Sequence, residues 1–164
     1  MEKIQTLTLR SIIDAARKAC HEGRLGAHYG FQVCRFSYEV ADKRRVGCAI
    51  GVALSDAVID VLDRRVTVPT VAGDHTGLLN DCGFDALLSH GPVSFDGTEF
   101  QLLCAKTLQA MHDDWSIGVK YIHTGSFGHI SKNKEFMAAM QPFIGREFGQ
   151  ESFLAYLDYI EQYA

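Results

Sequence analysis

The sequence predicts an α+β fold in which helices pack on a small antiparallel β-sheet, with a helix-rich C-terminal half. Two patterns support this prediction. Residues 31–56 contain two apolar runs around a charged turn, which is typical of a β-hairpin that leads into a helix. Apolar residues then recur at helical spacing in residues 99–115 and 151–163. We therefore expect one antiparallel pair of strands early in the chain and several helices after it.

An N-terminal helix is predicted over residues 7–21. Its apolar residues fall on one helical face: Leu9, Ile12, Ile13, Ala16 and Cys20. Thr6 or Thr8 can cap the first turn, because a hydroxyl oxygen there accepts a hydrogen bond from an unpaired backbone N–H. Gly23 or Gly26 can end the helix, because glycine adopts the left-handed conformation that follows many helices.

The predicted hairpin carries one cysteine in each strand, Cys34 and Cys48. Disulfides are rare in a reducing compartment, and the five cysteines are odd in number and form no C-x-x-C motif. We expect them to act as small buried hydrophobes, with a Cys34–Cys48 pair as the alternative. Gly51 and Asp56 are also assigned to structure. Gly51 permits a close backbone approach, and Asp56 favours the start of the next helix.

The middle of the chain alternates short elements with irregular segments. Ser55 is the expected cap of a short helix over residues 56–62. The following Val-Thr-Val-Pro-Thr-Val run is a loop or an edge strand, since Pro69 cannot donate a hydrogen bond to a sheet. Residues 72–98 are rich in glycine, and we expect them to be irregular apart from a short helical piece over residues 84–88.

The C-terminal half carries the clearest helix signals. Thr98 and Gln101 form a T-x-x-Q capping box at the start of a helix over residues 99–115. The first half of the glycine-bearing segment 117–130 is a candidate strand. Ser131 is then expected to cap a helix that ends at about residue 140, just before a proline.

The last predicted helix, over residues 151–163, is amphipathic. Four of its apolar residues share one face: Phe153, Tyr156, Leu157 and Ile160. This helix also carries three tyrosines, and tyrosine is enriched at protein interfaces. It can therefore cover the core, contact a partner, or join two copies of the chain in a homodimer.

A chain of 164 residues is long enough to bury a core of its own, so residues 1–164 are treated as a single domain. Residues 1–71 then hold the first helix, the hairpin and the short helix, and residues 72–164 are mainly helical. No apolar run is long enough to cross a bilayer, and the N-terminus lacks the pattern of a signal peptide. We therefore expect a cytoplasmic protein with no membrane partner.

The formal net charge of −4 conceals an uneven distribution. Residues 1–50 have a net charge of +4, whereas residues 51–164 have a net charge of −8. A nucleic-acid-binding domain normally presents a broad basic face, so this balance disfavours direct nucleic-acid binding. The acidic C-terminal part favours a basic partner, such as a host protein or a protein–nucleic acid complex.

The main functional interpretation is binding rather than catalysis. Acidic residues of the C-terminal part supply the charge for it, and tyrosines of the last helix supply apolar contact area. The candidate binding residues are Asp113, Asp114, Glu147, Glu151, Asp158, Tyr156 and Tyr159.

The alternative interpretation is a small enzyme. His112, Asp113 and His129 are candidates for acid–base groups, and His123 with His129 for metal ligands. Adjacent residues on a helix do not share a face, and the His123–His129 spacing matches no common zinc motif. We therefore predict neither a cofactor nor a metal, and we keep the catalytic set as an alternative only.

Two segments resemble a recurrent pattern in small uncharacterised proteins of phages and bacteria. The first is Cys34-Arg-Phe-Ser-Tyr followed by Gly47-Cys-Ala-Ile-Gly-Val-Ala-Leu-Ser-Asp56, and the second is Leu108-Gln-Ala-Met-His-Asp113. The resemblance implies a compact accessory protein of a phage or mobile element. In that setting we expect a protein-binding inhibitor of a host defence complex such as CRISPR-Cas, acting by docking on a basic nucleic-acid channel.

Overall fold

A computed structural model describes residues 1–26, 35–39, 45–125 and 132–164. Within these residues the chain forms six α-helices and three two-stranded sheets, and helices dominate the C-terminal half. The α+β class is therefore confirmed. The sheet component differs in detail from the prediction, because the strands form three separate pairs and one of these pairs is parallel.

The parallel pair joins the N-terminus to the middle of the chain. Strand β1 (Gln5–Leu7) lies beside strand β6 (Val93–Phe95), with Gln5 opposite Val93 and Leu7 opposite Phe95. Thr6 therefore belongs to a strand, and Thr8 alone caps the first helix. Residues 93–95 fall in the segment that was expected to be irregular, so that expectation was wrong there.

Helix α1 spans Leu9–His21. The Thr8 hydroxyl accepts a hydrogen bond from the backbone N–H of Ser11, and the Ser11 hydroxyl in turn accepts one from the backbone N–H of Thr8. Gly23 follows the helix with a φ of 67°, the left-handed conformation that ends helices. The buried face consists of Leu9, Ile12, Ile13, Ala16 and Ala19, so Cys20 lies at its edge, half-buried.

The predicted hairpin is present as strands β2 (Ser37–Glu39) and β3 (Arg45–Gly47), which pair antiparallel. A 3-10 helix follows at Gly51–Ala53. A Cβ atom on Gly51 would lie 1.6 Å from the carbonyl oxygen of Phe36, so the close backbone approach predicted at Gly51 is confirmed.

Cys48 is a fully buried, free thiol that accepts a hydrogen bond from the backbone N–H of Gly51. Cys34 lies outside the described residues, so its pairing stays a prediction. Ser55 caps helix α2 (Asp56–Ile59) as expected, although the helix is shorter than the predicted residues 56–62.

A second antiparallel pair lies in the middle of the chain. Strand β4 (Arg65–Val68) pairs with strand β5 (His75–Leu78), so the Val-Thr-Val run is a strand. Residues 75–78 were expected to be irregular, and that expectation was wrong there too. A 3-10 helix at Leu79–Asp81 and helix α3 (Phe84–His90) follow. Helix α3 confirms the helical piece that was predicted near residues 84–88.

Helix α4 spans Glu99–Ser116 and begins with the predicted capping box of Thr98 and Gln101. Helix α5 spans Lys134–Met140. Asn133 caps it, and Ser131, the expected cap, lies outside the described residues. In place of the candidate strand in the first half of residues 117–130, the described part of that segment has one isolated bridge, Tyr121 opposite Glu147.

Helix α6 (Gln150–Ile160) closes the fold, with 3-10 helices before and after it at Gln141–Phe143 and Glu161–Tyr163. Its predicted face is buried as expected. Helices α4 and α6 run antiparallel, because Phe100 meets Tyr163 at a ring separation of 4.7 Å and Trp115 meets Phe153 at 5.7 Å. At a rise of about 1.5 Å per residue, the two ends of this helix pair lie roughly 20 Å apart.

Candidate functional site

Four of the predicted binding acids gather around one end of the α4–α6 pair. Asp113 and Asp114 lie in the last turn of α4, and Glu151 lies in the first turn of α6. The loop after α4 is fixed to the segment before α6, because the N–H of Phe148 donates to the carbonyl of Lys120 at 2.8 Å. We call this region, comprising Asp113, Asp114, Ile117, Tyr121, Glu147 and Glu151, the acidic end.

Three of the four carboxylates of the acidic end have no cationic partner among the described residues, and Asp113 lies 3.8 Å from His112. Among residues 1–26, 35–39, 45–125 and 132–164, no Lys, Arg or His forms an ion pair with Asp114, Glu147 or Glu151. Two cations of the neighbouring loops face aromatic rings instead. Lys120 Nζ lies 5.3 Å from the ring centre of Tyr121, and Arg146 Cζ lies 4.7 Å from that of Phe143.

The helix dipole of α4 adds to this imbalance of charge. The C-terminus of a helix carries partial negative charge, so cations stabilise it and anions are disfavoured there. The last turn of α4, which the structure describes in full, has Asp113 and Asp114 and no basic residue. In natural proteins, a sequence that goes against a local preference of this kind is found chiefly at functional or strained sites.

Two large apolar side chains stand exposed beside these acids. Ile117 follows α4 directly and is 60% exposed, and Tyr121 is 50% exposed. Tyr121 lies in an antiparallel bridge opposite Glu147, which is itself exposed. The acidic end therefore combines uncompensated negative charge with apolar area that no described residue covers.

Asp158 belongs to the other end of α6, roughly 10 Å from Glu151 at the helical rise per residue. There, Arg17 lies 3.0 Å from Asp158 and 3.1 Å from Glu161, and Arg10 lies 2.7 Å from Glu161. We call these four residues the paired end. Hydrogen bonds from Arg17 and then Arg10 hold the pKa of Glu161 below its usual value. The charge of Asp158 is therefore compensated within the chain.

Tyr156 was predicted as a binding residue, and this prediction was wrong. Its side chain is fully buried, and its hydroxyl donates to the carbonyl of Cys104 at 3.0 Å. Burial raises the pKa of this phenol well above its ordinary value. Tyr159 is half-buried, donates to the carbonyl of Ala139 at 2.7 Å and packs on other rings, so it too lies away from the acidic end.

The alternative catalytic residues are only partly brought together. His112 is buried, with Nδ1 at 3.8 Å from Asp113 Oδ1 and Nε2 at 3.5 Å from Ser116 Oγ. Both separations exceed the hydrogen-bond reach of about 3.2 Å that acid–base catalysis uses. The Ser116 hydroxyl also donates to the carbonyl of His112 at 2.8 Å.

The proposed metal ligands are not tested as a pair. His123 is exposed, and His129 lies outside the described residues. Within the described part of the chain, no three His, Cys, Asp or Glu side chains approach closely enough to hold a metal ion.

Sequence reasoning missed Gln109, which positions Asp113. Its amide oxygen accepts from the backbone N–H of Ile50 at 3.0 Å, and its amide nitrogen donates to Asp113 Oδ1 at 2.8 Å. Gln109 thus links the turn after β3 to the acidic end. The available signal was a glutamine beside Leu108 on the buried side of α4, since a buried polar group needs partners.

Comparison of the chain with protein-family models, with curated proteins and with solved structures finds no match. In the part of the chain that the structure describes, no helix combines the length and the hydropathy that crossing a bilayer requires. The acidic end is therefore interpreted from its own charge and geometry.

Proposed function

We propose that this protein acts by binding a protein partner with a basic surface, and that the acidic end is the contact region. The observation that carries the proposal is the combination of uncompensated Asp114, Glu147 and Glu151 with exposed Ile117 and Tyr121. Charge complementarity steers encounter and selects the partner, and buried apolar anchors supply affinity. The acidic end offers both the charge and the apolar side chains.

The resemblance to small phage and bacterial proteins supports a setting for this activity. We place the protein in the cytoplasm of a bacterial host, as an accessory factor of a phage or mobile element. The proposed partner is a host defence complex such as CRISPR-Cas, which the protein inhibits by covering a basic nucleic-acid channel. Acidic groups repel phosphates, so the protein competes with nucleic acid rather than binding it.

The test compares two triple variants of equal charge change. The first, Asp114→Asn with Glu147→Gln and Glu151→Gln, neutralises the acidic end. The matched control, Glu2→Gln with Asp74→Asn and Asp96→Asn, neutralises three exposed acids elsewhere that form no ion pair among the described residues. Each tagged protein captures its partner from host lysate, and affinity is then measured with the purified partner.

We expect the control to bind like the parent chain and the acidic-end variant to bind about tenfold or more weakly. The parent complex should weaken between about 0.1 M and about 1 M salt, where the Debye length falls from about 10 Å to about 3 Å. Nucleic acid should compete with it. Equal binding by the two triple variants would show that the acidic end is not the contact region.

A small enzyme remains the second candidate, because the buried His112 lies 3.8 Å from Asp113 and catalytic hydrogen bonds are often long before substrate binds. His112→Gln separates the two proposals: it removes an acid–base group and leaves every carboxylate of the acidic end in place. On the binding proposal, partner affinity is unchanged. Loss of function with retained partner affinity, or metal bound in proportion to the protein, would favour the enzyme.

A further inference from the structure

A second surface feature lies at the opposite end of the α4–α6 pair. An open cleft of about 430 Å³ separates the start of α4 from α5 and the last 3-10 helix. Its lining residues are Thr98, Phe100, Gln101, Glu135, Ala139 and Tyr163. This volume lies within the range of about 300–1,000 Å³ that is usual for ligand sites.

The aromatic wall of the cleft is held in place. The rings of Phe100 and Tyr163 lie 4.7 Å apart at 54°, and Phe136 packs edge-on against Phe100 at 5.5 Å. Gln101, which also lines the cleft, fixes the wall. Its amide nitrogen donates to the carbonyl of Tyr163 at 2.7 Å, and its amide oxygen accepts from the backbone N–H of Thr98 at 2.9 Å. Rings fixed in this way are preorganised for a ligand.

The lining of the cleft also carries one carboxylate. Glu135 is exposed in the first turn of α5, and no described Lys, Arg or His forms an ion pair with it. Its charge also reaches the aromatic wall. The pKa of Tyr163 is raised chiefly by burial and by a hydrogen bond with Tyr159, with a smaller contribution from Glu135.

We propose that this cleft binds the guanidinium group of an arginine side chain on a protein partner. A guanidinium is planar, so it stacks on an aromatic face while its N–H groups donate to a carboxylate in the same plane. Phe100 and Tyr163 offer the face, and Glu135 offers the acceptor. The arginine is an anchor on the basic partner, and in that respect this inference rests on the proposed function.

The test uses the full chain and three capped tripeptides, acetyl-Gly-X-Gly-amide with X as arginine, lysine or citrulline. Citrulline has nearly the shape of arginine and no charge. Binding is followed by nuclear magnetic resonance shifts of the backbone amides. We expect arginine to bind about tenfold more tightly than citrulline and more tightly than lysine, with shifts at the lining residues.

Two exposed glutamates provide a matched pair of variants. Glu135→Gln should weaken the arginine peptide about fivefold or more, whereas Glu2→Gln, which lies outside the lining of the cleft, should leave its affinity unchanged. Phe100→Leu should also weaken it. Equal affinity for arginine, lysine and citrulline, or equal effects of the two glutamine variants, would overturn the arginine site.

These outcomes separate the cleft from the acidic end. Trp115, the single tryptophan, lies at the acidic end, so its fluorescence should not respond to a peptide in the cleft. If the peptide binds as expected but the acidic-end triple variant retains its partner, the proposed function fails and the cleft stands. If the peptide does not bind and the triple variant loses its partner, the cleft fails alone.

Discussion

The two ends of the α4–α6 pair differ in how their carboxylates are paired. At the paired end, Arg17 holds Asp158 and Glu161 at 3.0 and 3.1 Å, and Arg10 also holds Glu161. At the acidic end, no described Lys or Arg forms an ion pair with the carboxylates. Acids of the first kind tie the last helix to α1. On the proposed function, acids of the second kind contact the partner.

The acidic end also has the more exposed apolar side chains. The rings near the paired end pack on one another, as Phe100 does on Phe136 and Tyr163. At the acidic end, Ile117 and Tyr121 have about half or more of their surface exposed, at 60% and 50%. The type of a side chain therefore does not determine whether it is buried or exposed. What matters is whether another element of the fold covers it.

The largest expected effect comes from the ring that joins the acidic end to the core. Phe153 is buried against Trp115 and His112, and Phe153→Ala should lower the free energy of unfolding by about 3–5 kcal/mol. The control is Leu154→Ala at the neighbouring half-buried position, which should lower the free energy of unfolding by about 1 kcal/mol. Urea unfolding measures both. Trp115 fluorescence should shift to the red only in the Phe153 variant. If both variants lost a similar free energy of unfolding, the packing of Phe153 would not be what supports the acidic end.

The next largest effect is the loss of stability when an arginine of the paired end is removed. Arg17→Ala removes the cation from two acids and should lower the free energy of unfolding by about 1 kcal/mol, the upper range for surface ion pairs. Lys18→Ala is the control, since Lys18 is 72% exposed and contacts only Glu22 among the described acids, at 3.9 Å. The difference between the variants should shrink in about 1 M salt. If it persists there, packing of the arginine stem rather than charge stabilises this end.

Removing one carboxylate should change the free energy of unfolding by a smaller amount, and in opposite directions at the two ends. Asp114→Asn removes an anion from the last turn of α4 and should raise the free energy of unfolding by about 0.3–1 kcal/mol. Asp158→Asn removes the partner of Arg17 and should lower it by a similar amount. Chemical denaturation of the two single variants and of the double variant measures both changes. Destabilisation by both substitutions would show that Asp114 is compensated and would remove the contrast between the ends.

The sequence predicted the elements whose signals are local. The capping box of Thr98 and Gln101 lies within four residues, and so does the cap that Ser55 provides. By contrast, β1 and β6 are three residues long, too short to show a period, and they are far apart in the chain. Such a pairing leaves no mark in either segment alone, so the parallel sheet was missed.

The candidate site shows the same limit. The acids were visible as charges, but their compensation depends on contacts such as Arg17 with Asp158, which are 141 residues apart in sequence. The exception is Tyr156. Its spacing from Phe153 and Ile160 already placed it on the buried face of the last helix, so helical periodicity alone could have removed it from the binding residues.

The smallest expected effect is a pH dependence confined to the paired end. Hydrogen bonds from Arg17 and Arg10 lower the pKa of Glu161 in the folded state from its ordinary value of 4.5. A lowered folded pKa adds stability above the unfolded value, and this stability is lost as the pH falls through the folded value. The stability gap between the parent chain and Arg10→Ala should therefore be constant near neutral pH and close below about pH 4. Thermal unfolding across this range measures the gap. A gap that stays open in acid would mean that Arg10 acts through packing, and the two ends would then differ in contacts rather than in charge.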